Sequence, residues 1–327
     1  MWIALPIISL VAFMSARTEF AQHNGIGALP LAIVLGIIVG NLLANQPVTA
    51  RSLAILEFSK KKLLRAGIIL FGSHLTLTQL AAVGWQAAIL DMLVISTVLS
   101  VGYILGVRML GMGREETILI SVGSAVCGAA AILATEPVLK AKQQDVSVAV
   151  ATVVVFGTLA LFCYPFIFHI SQLSSESFGI YIGSTVHEVA QAVAAGQAID
   201  MQAMNNAVVV KLMRVMMLAP VVIIIAALYQ RKNTATQTST AQAIPWPWFV
   251  FGFIAMVIFN SLFNLPEPVV STLQISAQLL LTIAMTALGL QTKFSAVKAA
   301  GTKPLLLSAT LFSLLLGGGF MAHQLLY

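Results

Sequence analysis

The stretch from Gly183 to Gln191, GSTVHEVAQ, sets His187, Glu188 and Gln191 between apolar runs of membrane length. Ionisable and polar side chains are expensive in hydrocarbon, so such a cluster is by default a functional-site hypothesis. Glycine and serine opening a short helix, as Gly183 and Ser184 would, leave backbone N–H groups unpaired at the positive end of the helix dipole and allow close approach. That is chemistry for holding an anion. An earlier run, GSAVCG, repeats the GS-x-V core and offers Gly123, Ser124, Cys127 and Gly128 as counterparts. Small residues also serve helix packing in membranes, so the pair of runs, rather than either alone, carries the site reading. Downstream, Lys211 and Arg214 stand three positions apart and share a helical face, where they would add positive charge unless they snorkel to an interface. Gln191 lies one turn beyond His187, whereas neighbours such as His187 and Glu188 diverge by about 100 degrees on a helix. Glu188 could therefore pair with Lys211 or Arg214, and His187 could change charge between about pH 5 and 8, which makes the two candidates for proton coupling.

The elements that must position these residues are membrane spans. Apolar residues make up 59% of the chain and charged residues 9%, and the mean hydropathy is +0.97. Together these values exclude an ordinary soluble domain. Two cysteines, Cys127 and Cys163, are too few for a disulfide framework or a thiolate zinc site. The net charge of +6 comes from Lys and Arg in short loops, which reads as membrane topology rather than nucleic-acid binding. The first run, Trp2 to about Ala16, has no basic segment before it and reads as an anchor helix rather than a signal peptide. Further runs cover 28–44, 63–80, 85–107, 117–135, 146–170, 179–195, 207–229, 246–264, 272–290 and 303–326. At about 20 residues per crossing this predicts an all-α polytopic membrane protein with about nine to eleven transmembrane helices. It would be one integral membrane domain with approximate halves 28–170 and 179–326 and a cytoplasmic linker at 230–244.

Loop charge predicts the orientation. The loop from Asn45 to Lys62 with Arg51 and Lys60 to Lys62, the turn with Arg108 and Arg114, the linker with Arg231 and Lys232, and the loop with Lys293, Lys298 and Lys303 are basic. These should be cytoplasmic, and the loops at 171–178 and 265–271, with only Glu176 and Glu267, external. Both sets fall on their proper sides only if 117–135 enters from the cytoplasm and returns, and 179–195 enters from outside and returns. Two short re-entrant or discontinuous helices of opposite direction form an inverted repeat, the pattern of secondary transporters. The substrate site would then lie where the helix N-termini of 123–128 and 183–191 meet. A weaker similarity relates Leu70 to Gly84 with Ala287 to Gly301. His74, Asp91 and Glu136 each have a loop-edge alternative, with Glu136-Pro137 ending the first short helix, and Arg65 reads as a snorkelling residue.

In GSAVCGAAAILATEPVLKAK, LLRAGIILFG and STVHEVAQAVAAG followed by VVKLMRVMMLAPV, the chain resembles the YeiH family of proposed sulfate exporters, from about Gly27 to the last span. The resemblance implies a multi-pass bacterial inner-membrane transporter for an inorganic or sulfonate-related anion. Family members carry Ser-Ile-Cys-Gly and Ser-Ile-His-Glu, where this chain has Ala125, Val126, Thr185 and Val186, all small or β-branched. No catalytic residue set is implied. The rival classes are an anion channel and an intramembrane enzyme, since HEVAQ begins like the zinc-protease pattern H-E-x-x-H. Gln191 replaces its second histidine and is a poor zinc ligand. With no P-loop and no G-x-S-x-G elbow, the chain is expected to be a non-enzymatic carrier without cofactor or metal. Its expected partners are a small anion such as sulfate or sulfite, the bilayer, a coupling proton or sodium ion and a second copy in a homodimer, with no nucleic acid.

Overall fold

The computed structural model describes residues 3–18, 27–43, 49–230, 248–263, 266–292, 295 and 300–327. Residues 231–244 of the expected linker, 45–48 of the first basic loop, and Lys293 and Lys298 lie outside them. Among the described residues every regular element is a helix: α1 (Ala4–Ser15), α2 (Ala28–Leu42), α3 (Ala50–Phe58), α4 (Leu64–Phe71), α5 (Leu77–Ala82), α6 (Gly84–Tyr103), α7 (Arg114–Ala125), α8 (Ala129–Leu139), α9 (Gln143–Ser171), α10 (Ser175–Thr185), α11 (Val189–Gln197), α12 (Met201–Met216), α13 (Leu218–Gln230), α14 (Trp248–Phe263), α15 (Glu267–Gln291), α16 (Thr302–Ser313) and α17 (Gly319–Leu326). Five continuous runs among them are long and apolar enough to cross a membrane: Gly84–Met109, Gln143–Ser171, Met201–Tyr229, Glu267–Gln291 and Thr302–Leu326.

Two sequence expectations fail here for definable reasons. The basic segment expected as a loop up to Lys62 is helical from Ala50, capped by Thr49, whose side chain accepts from the Ser52 N–H. It continues through a π turn at Ser59–Leu63 into α4. Its charges pair along the helix, Glu57 with Lys61 at 2.9 Å and with Lys60 at 3.9 Å, and Gln291 of α15 bonds to both Lys60 and Glu57, so hydropathy missed a helix whose charges are satisfied within the bundle. Conversely the run 63–80 is not one span. It ends in a 3-10 turn at Gly72–His74, and Thr76 starts α5 anew with a capping box to Gln79.

The segments 114–139 and 175–197 are helical hairpins. Gly123 on α7 faces Ile132 on α8, on opposite sides of the break at 126–128. In the second hairpin Gly179 and Gly196 both lie against Ala203 at the start of α12. The chain therefore returns to the level at which it entered. With arms of 12 and 11 residues each hairpin penetrates about 16 to 18 Å, about half of a hydrocarbon core of about 30 Å. The base of the first lies beside the end of α13, where the Tyr229 hydroxyl donates to Glu115 at 2.6 Å. The base of the second lies beside the start of α12, where Asn206 donates to the Glu176 carbonyl at 3.0 Å. The 29-residue α9 runs from one base to the other, so the hairpins enter from opposite faces. The unit that recurs is a hairpin followed by a crossing, 114–171 and then 175–230, with reversed direction. Of the weaker sequence match, 287–301 lies partly outside the described residues.

Around the hairpins pack α6, α9, α12, α13, α16 and α17, while α1, α2, α3, α4, α14 and α15 form a second bundle. The second bundle is held by backbone-to-backbone contact. A Cβ on Gly36 would lie 2.7 Å from the Thr286 carbonyl oxygen and one on Gly40 2.7 Å from that of Leu290, so the Gly36/Gly40 spacing on α2 works as a small-residue packing face against α15.

Candidate functional site

The site is built where the hairpin tips meet α12. Asp200 caps α12, its carboxylate accepting from the Ala203 N–H at 2.8 Å, which starts the helix early and carries Lys211 about 15 Å along it. Lys211 and Arg214 are wholly buried. Lys211 Nζ donates to the carbonyl of Val126 at 3.0 Å and to that of Val186. Arg214 donates through Nε to Ala125 at 2.7 Å, through Nη2 to Ser124 at 3.3 Å and through Nη1 to Ser184. Each cation touches both hairpins. The carbonyls are those ending the first arms, which lack intrahelical partners and carry the negative end of the helix dipole. Two cations thus clasp two opposed hairpins by their C-terminal ends.

Glu188 makes the complementary link on the amino side. Its side chain caps α11 by accepting from the Gln191 N–H, while Gln191 Oε1 accepts from the Glu188 N–H at 3.1 Å. Glu188 Oε1 also accepts from the Ala129 N–H at 3.3 Å, at the start of α8. One carboxylate therefore caps both second arms. Two glycines make room for this. Gly128, at φ 71°, would place a Cβ 2.4 Å from Glu188 Cγ, and Gly157 on α9 would place one 2.0 Å from Gln191 Oε1.

Several polar atoms at this junction are buried without a hydrogen-bond partner: Ser184 Oγ, His187 Nδ1, Gln191 Nε2 and both carboxylate oxygens of Asp91. Asp91 projects from α6, and the charges of Arg214 and Lys211 bear on it. The Ser184 hydroxyl lies near its carboxylate without reaching hydrogen-bonding geometry. His187 tilts against Phe312 with ring centroids 6.1 Å apart, and Cys127 is buried. Buried polar groups normally have partners, so a concentration of free donors and acceptors in one place fits a receptor for a small polar ligand.

The structure brings the residues singled out in the sequence to one junction, but several of them present the opposite helix end from the one expected. Gly123–Ser124 and Gly183–Ser184 lie in the last turns of α7 and α10, not at helix N-termini, and it is their carbonyl side that meets the cations. The N-termini begin after the breaks, at Ala129 and Val189. Gly123 and Gly183 serve packing: a Cβ would fall 2.8 Å from Ile132 and Val153 in one case and 2.7 Å from Val210 in the other. Lys211 and Arg214 do not snorkel, and Glu188 forms no ion pair with them, since the ion pairs within 4.0 Å among the described residues are those of Glu57. Pro137 does not end α8, which runs on to Leu139 and closes at Lys140 with φ 51°. Arg65 lies over the Phe249 ring at 5.7 Å.

Asp91 was undervalued in the sequence. It is an acidic residue well inside the apolar run 85–107, which is signal enough, and the structure buries it within α6 rather than at a loop edge. Gly157 carried no signal, because nothing in α9 announces that Gln191 will press against it. Neither did the Tyr164 hydroxyl, which donates to Thr185 Oγ1 at 2.6 Å beneath the second tip. Among the described residues no group of three or more His, Cys, Asp and Glu side chains is arranged to hold a metal ion.

The family model for conserved hypothetical protein 698 matches residues 1–308. A UPF0324 membrane protein of Pseudomonas aeruginosa is 48% identical over 321 residues, covering 96% of this chain and 90% of its own. The UPF0324 inner membrane protein YeiH of Salmonella typhimurium is 45% identical over 328 residues, covering 98% and 93%. That of Escherichia coli K12 is 46% identical over 315 residues, covering 96% and 90%. No solved structure matches the chain.

Proposed function

This chain belongs to the conserved hypothetical protein 698 (UPF0324) family, a multi-pass inner-membrane protein like its relatives, and from that membership and the site geometry we propose that it is a secondary transporter of a small anion. The observation that carries the reading is the meeting of two opposed re-entrant hairpins on a buried Lys211–Arg214 pair, ringed by the unpartnered atoms Ser184 Oγ, His187 Nδ1 and Gln191 Nε2. Re-entrant backbone at membrane depth is tolerated only where protein or a water-filled cavity surrounds it. Interrupted helices in inverted repeats are how secondary transporters make a site reachable from either face. After five carbonyl contacts the lysine and arginine retain unused N–H donors, which suit an oxyanion.

The cargo proposed is sulfate, sulfite or a related sulfur oxyanion, carried without an enzymatic step or a cofactor. An intramembrane hydrolase is disfavoured because Gln191, in place of a second zinc-binding histidine, spends its carbonyl oxygen on the Glu188 N–H. A channel would require a continuous path past tips that are here closed on each other. The test is counterflow of labelled sulfate and sulfite in proteoliposomes, with a thermal-shift screen beside it, since a ligand that binds only the folded state raises its apparent stability. Saturable exchange that is lost in Arg214→Gln supports the carrier. Ohmic currents without saturation would replace it with a channel, and stoichiometric zinc with hydrolysis would replace it with an enzyme.

A further inference from the structure

Asp91 is the one carboxylate at the junction with no structural duty. Glu188 caps two helices, whereas Asp91 is fully buried on α6 and neither of its oxygens has a hydrogen-bond partner. An isolated ionised carboxylate in such a place is costly, and it settles by taking a proton or by reaching a cation. The charges that bear on it come from Lys211 and Arg214 on α12, and it in turn bears on the Tyr327 phenol beyond α17. The neutral neighbour is Ser184 of α10. The two cations spend their donors on tip carbonyls: two for Lys211, three for Arg214. Lysine has three N–H donors and arginine five, so only a few remain. A substrate oxyanion and an ionised Asp91 must compete for them.

We propose that Asp91 is the proton-binding site of this protein, neutral when the Lys211–Arg214 pair holds an oxyanion and ionised when it takes the oxyanion's place on those cations. This rests on the anion-transport reading and deepens it by naming the coupling ion and its seat. It moves the coupling carboxylate from Glu188, which the helix caps occupy, to Asp91. The proton balance is simple. Binding an anion to the empty, Asp91-ionised site takes up one proton, and releasing the anion gives that proton back, so anion and proton travel together. By linkage each biases the other equally: above the pKa of Asp91 the apparent affinity for the anion falls about tenfold per pH unit, and below it the affinity is constant.

Two measurements on the full-length protein in lipid nanodiscs test this. The first is infrared spectroscopy across a pH titration. The carbonyl stretch of a protonated carboxylic acid is expected to appear with sulfate present, to shift on selective ¹³C-aspartate labelling, and to vanish in Asp91→Asn. The labelling needs no substitution, so it stands if the variant misfolds. A band that persists in Asp91→Asn, or none that responds to aspartate labelling, overturns the assignment. The second is calorimetry of sulfate and of sulfite binding in two buffers of different ionisation enthalpy. Uptake of one proton per anion in the wild type, lost in Asp91→Asn and kept in Asp91→Glu, supports the linkage. Binding with no proton uptake overturns the coupling while leaving an anion site in place. Failure of the transport reading itself has a separate signature: no saturable flux of either anion in wild-type proteoliposomes.

Discussion

Glu188 and Gln191 act as a pair, and their neighbours are shaped to admit them. Because the Glu188 carboxylate caps both α8 and α11, Glu188→Ala is expected to lose two caps at about 1 kcal/mol each. Glu188→Gln, which keeps an acceptor oxygen, should lose less than half of that. Thermal unfolding of the purified protein separates them, and a wild-type melting temperature in Glu188→Ala would mean that the caps contribute nothing. Gly157 gives the converse test. A methyl group there would sit 2.0 Å from Gln191 Oε1, so Gly157→Ala should destabilise by about 1 to 3 kcal/mol through overpacking. The double variant with Gln191→Ala should recover most of that stability but not anion exchange, because Gln191 Nε2 is one of the free donors. Stability that fails to recover would show the strain to lie elsewhere.

At the scale of elements, the hairpins were legible because two independent rules met on them. Loop charge required 117–135 and 179–195 to return to the side they entered, and the duplicated GS-x-V marked both breaks. Which end of each half-helix faces the site was not legible. Gly-Ser suits a helix start, an end or a packing face equally, and only α12 decides. Once Asp200 starts that helix, Lys211 and Arg214 reach the tip carbonyls, and the C-terminal ends must turn toward them. The charged turn between α3 and α4 was invisible for a related reason: Lys60 and Lys61 pair with Glu57 on the helix itself, a contact hydropathy counts as loop. The clasp predicts that lysine cannot replace arginine at 214. Arg214→Lys keeps the charge but removes the planar fork that reaches three carbonyls on two hairpins. Leaving buried carbonyls unpaired costs about 1 to 3 kcal/mol, and the melting temperature should fall together with exchange. Wild-type stability in Arg214→Lys would mean the clasp is not what joins the tips.

At the scale of the whole molecule, the two bundles touch sparingly. The hairpin arm α11 meets α2 at one polar contact, the Leu29 N–H donating to Gln197 Oε1 at 3.0 Å. Beside it lies a cleft of about 140 Å³ between Leu29, Phe71 and Gln278 of one bundle and Gln197, Met201 and Met204 of the other. Within each bundle, by contrast, helices approach backbone to backbone, as at Gly36 and Gly289 or Gly179 and Ala203. Bodies joined by a sparse, partly open seam are suited to slide, and a site held entirely within one of them would be carried along. The orientation of that movement follows from loop charge: single cysteines at Gln143 and Ser174 should label with an impermeant thiol reagent from opposite sides, Gln143 from the cytoplasm. Sliding itself is tested at the seam. Cysteines at Leu29 and Met204, joined by a short bifunctional reagent, should stop anion exchange while leaving the stabilisation by bound anion intact, because the tether lies outside the tips. Each single cysteine, treated alike, should retain exchange. If the tethered protein exchanges anions at the untreated rate, the bundles do not move past each other, and access must instead come from opening of the hairpin tips against Lys211 and Arg214.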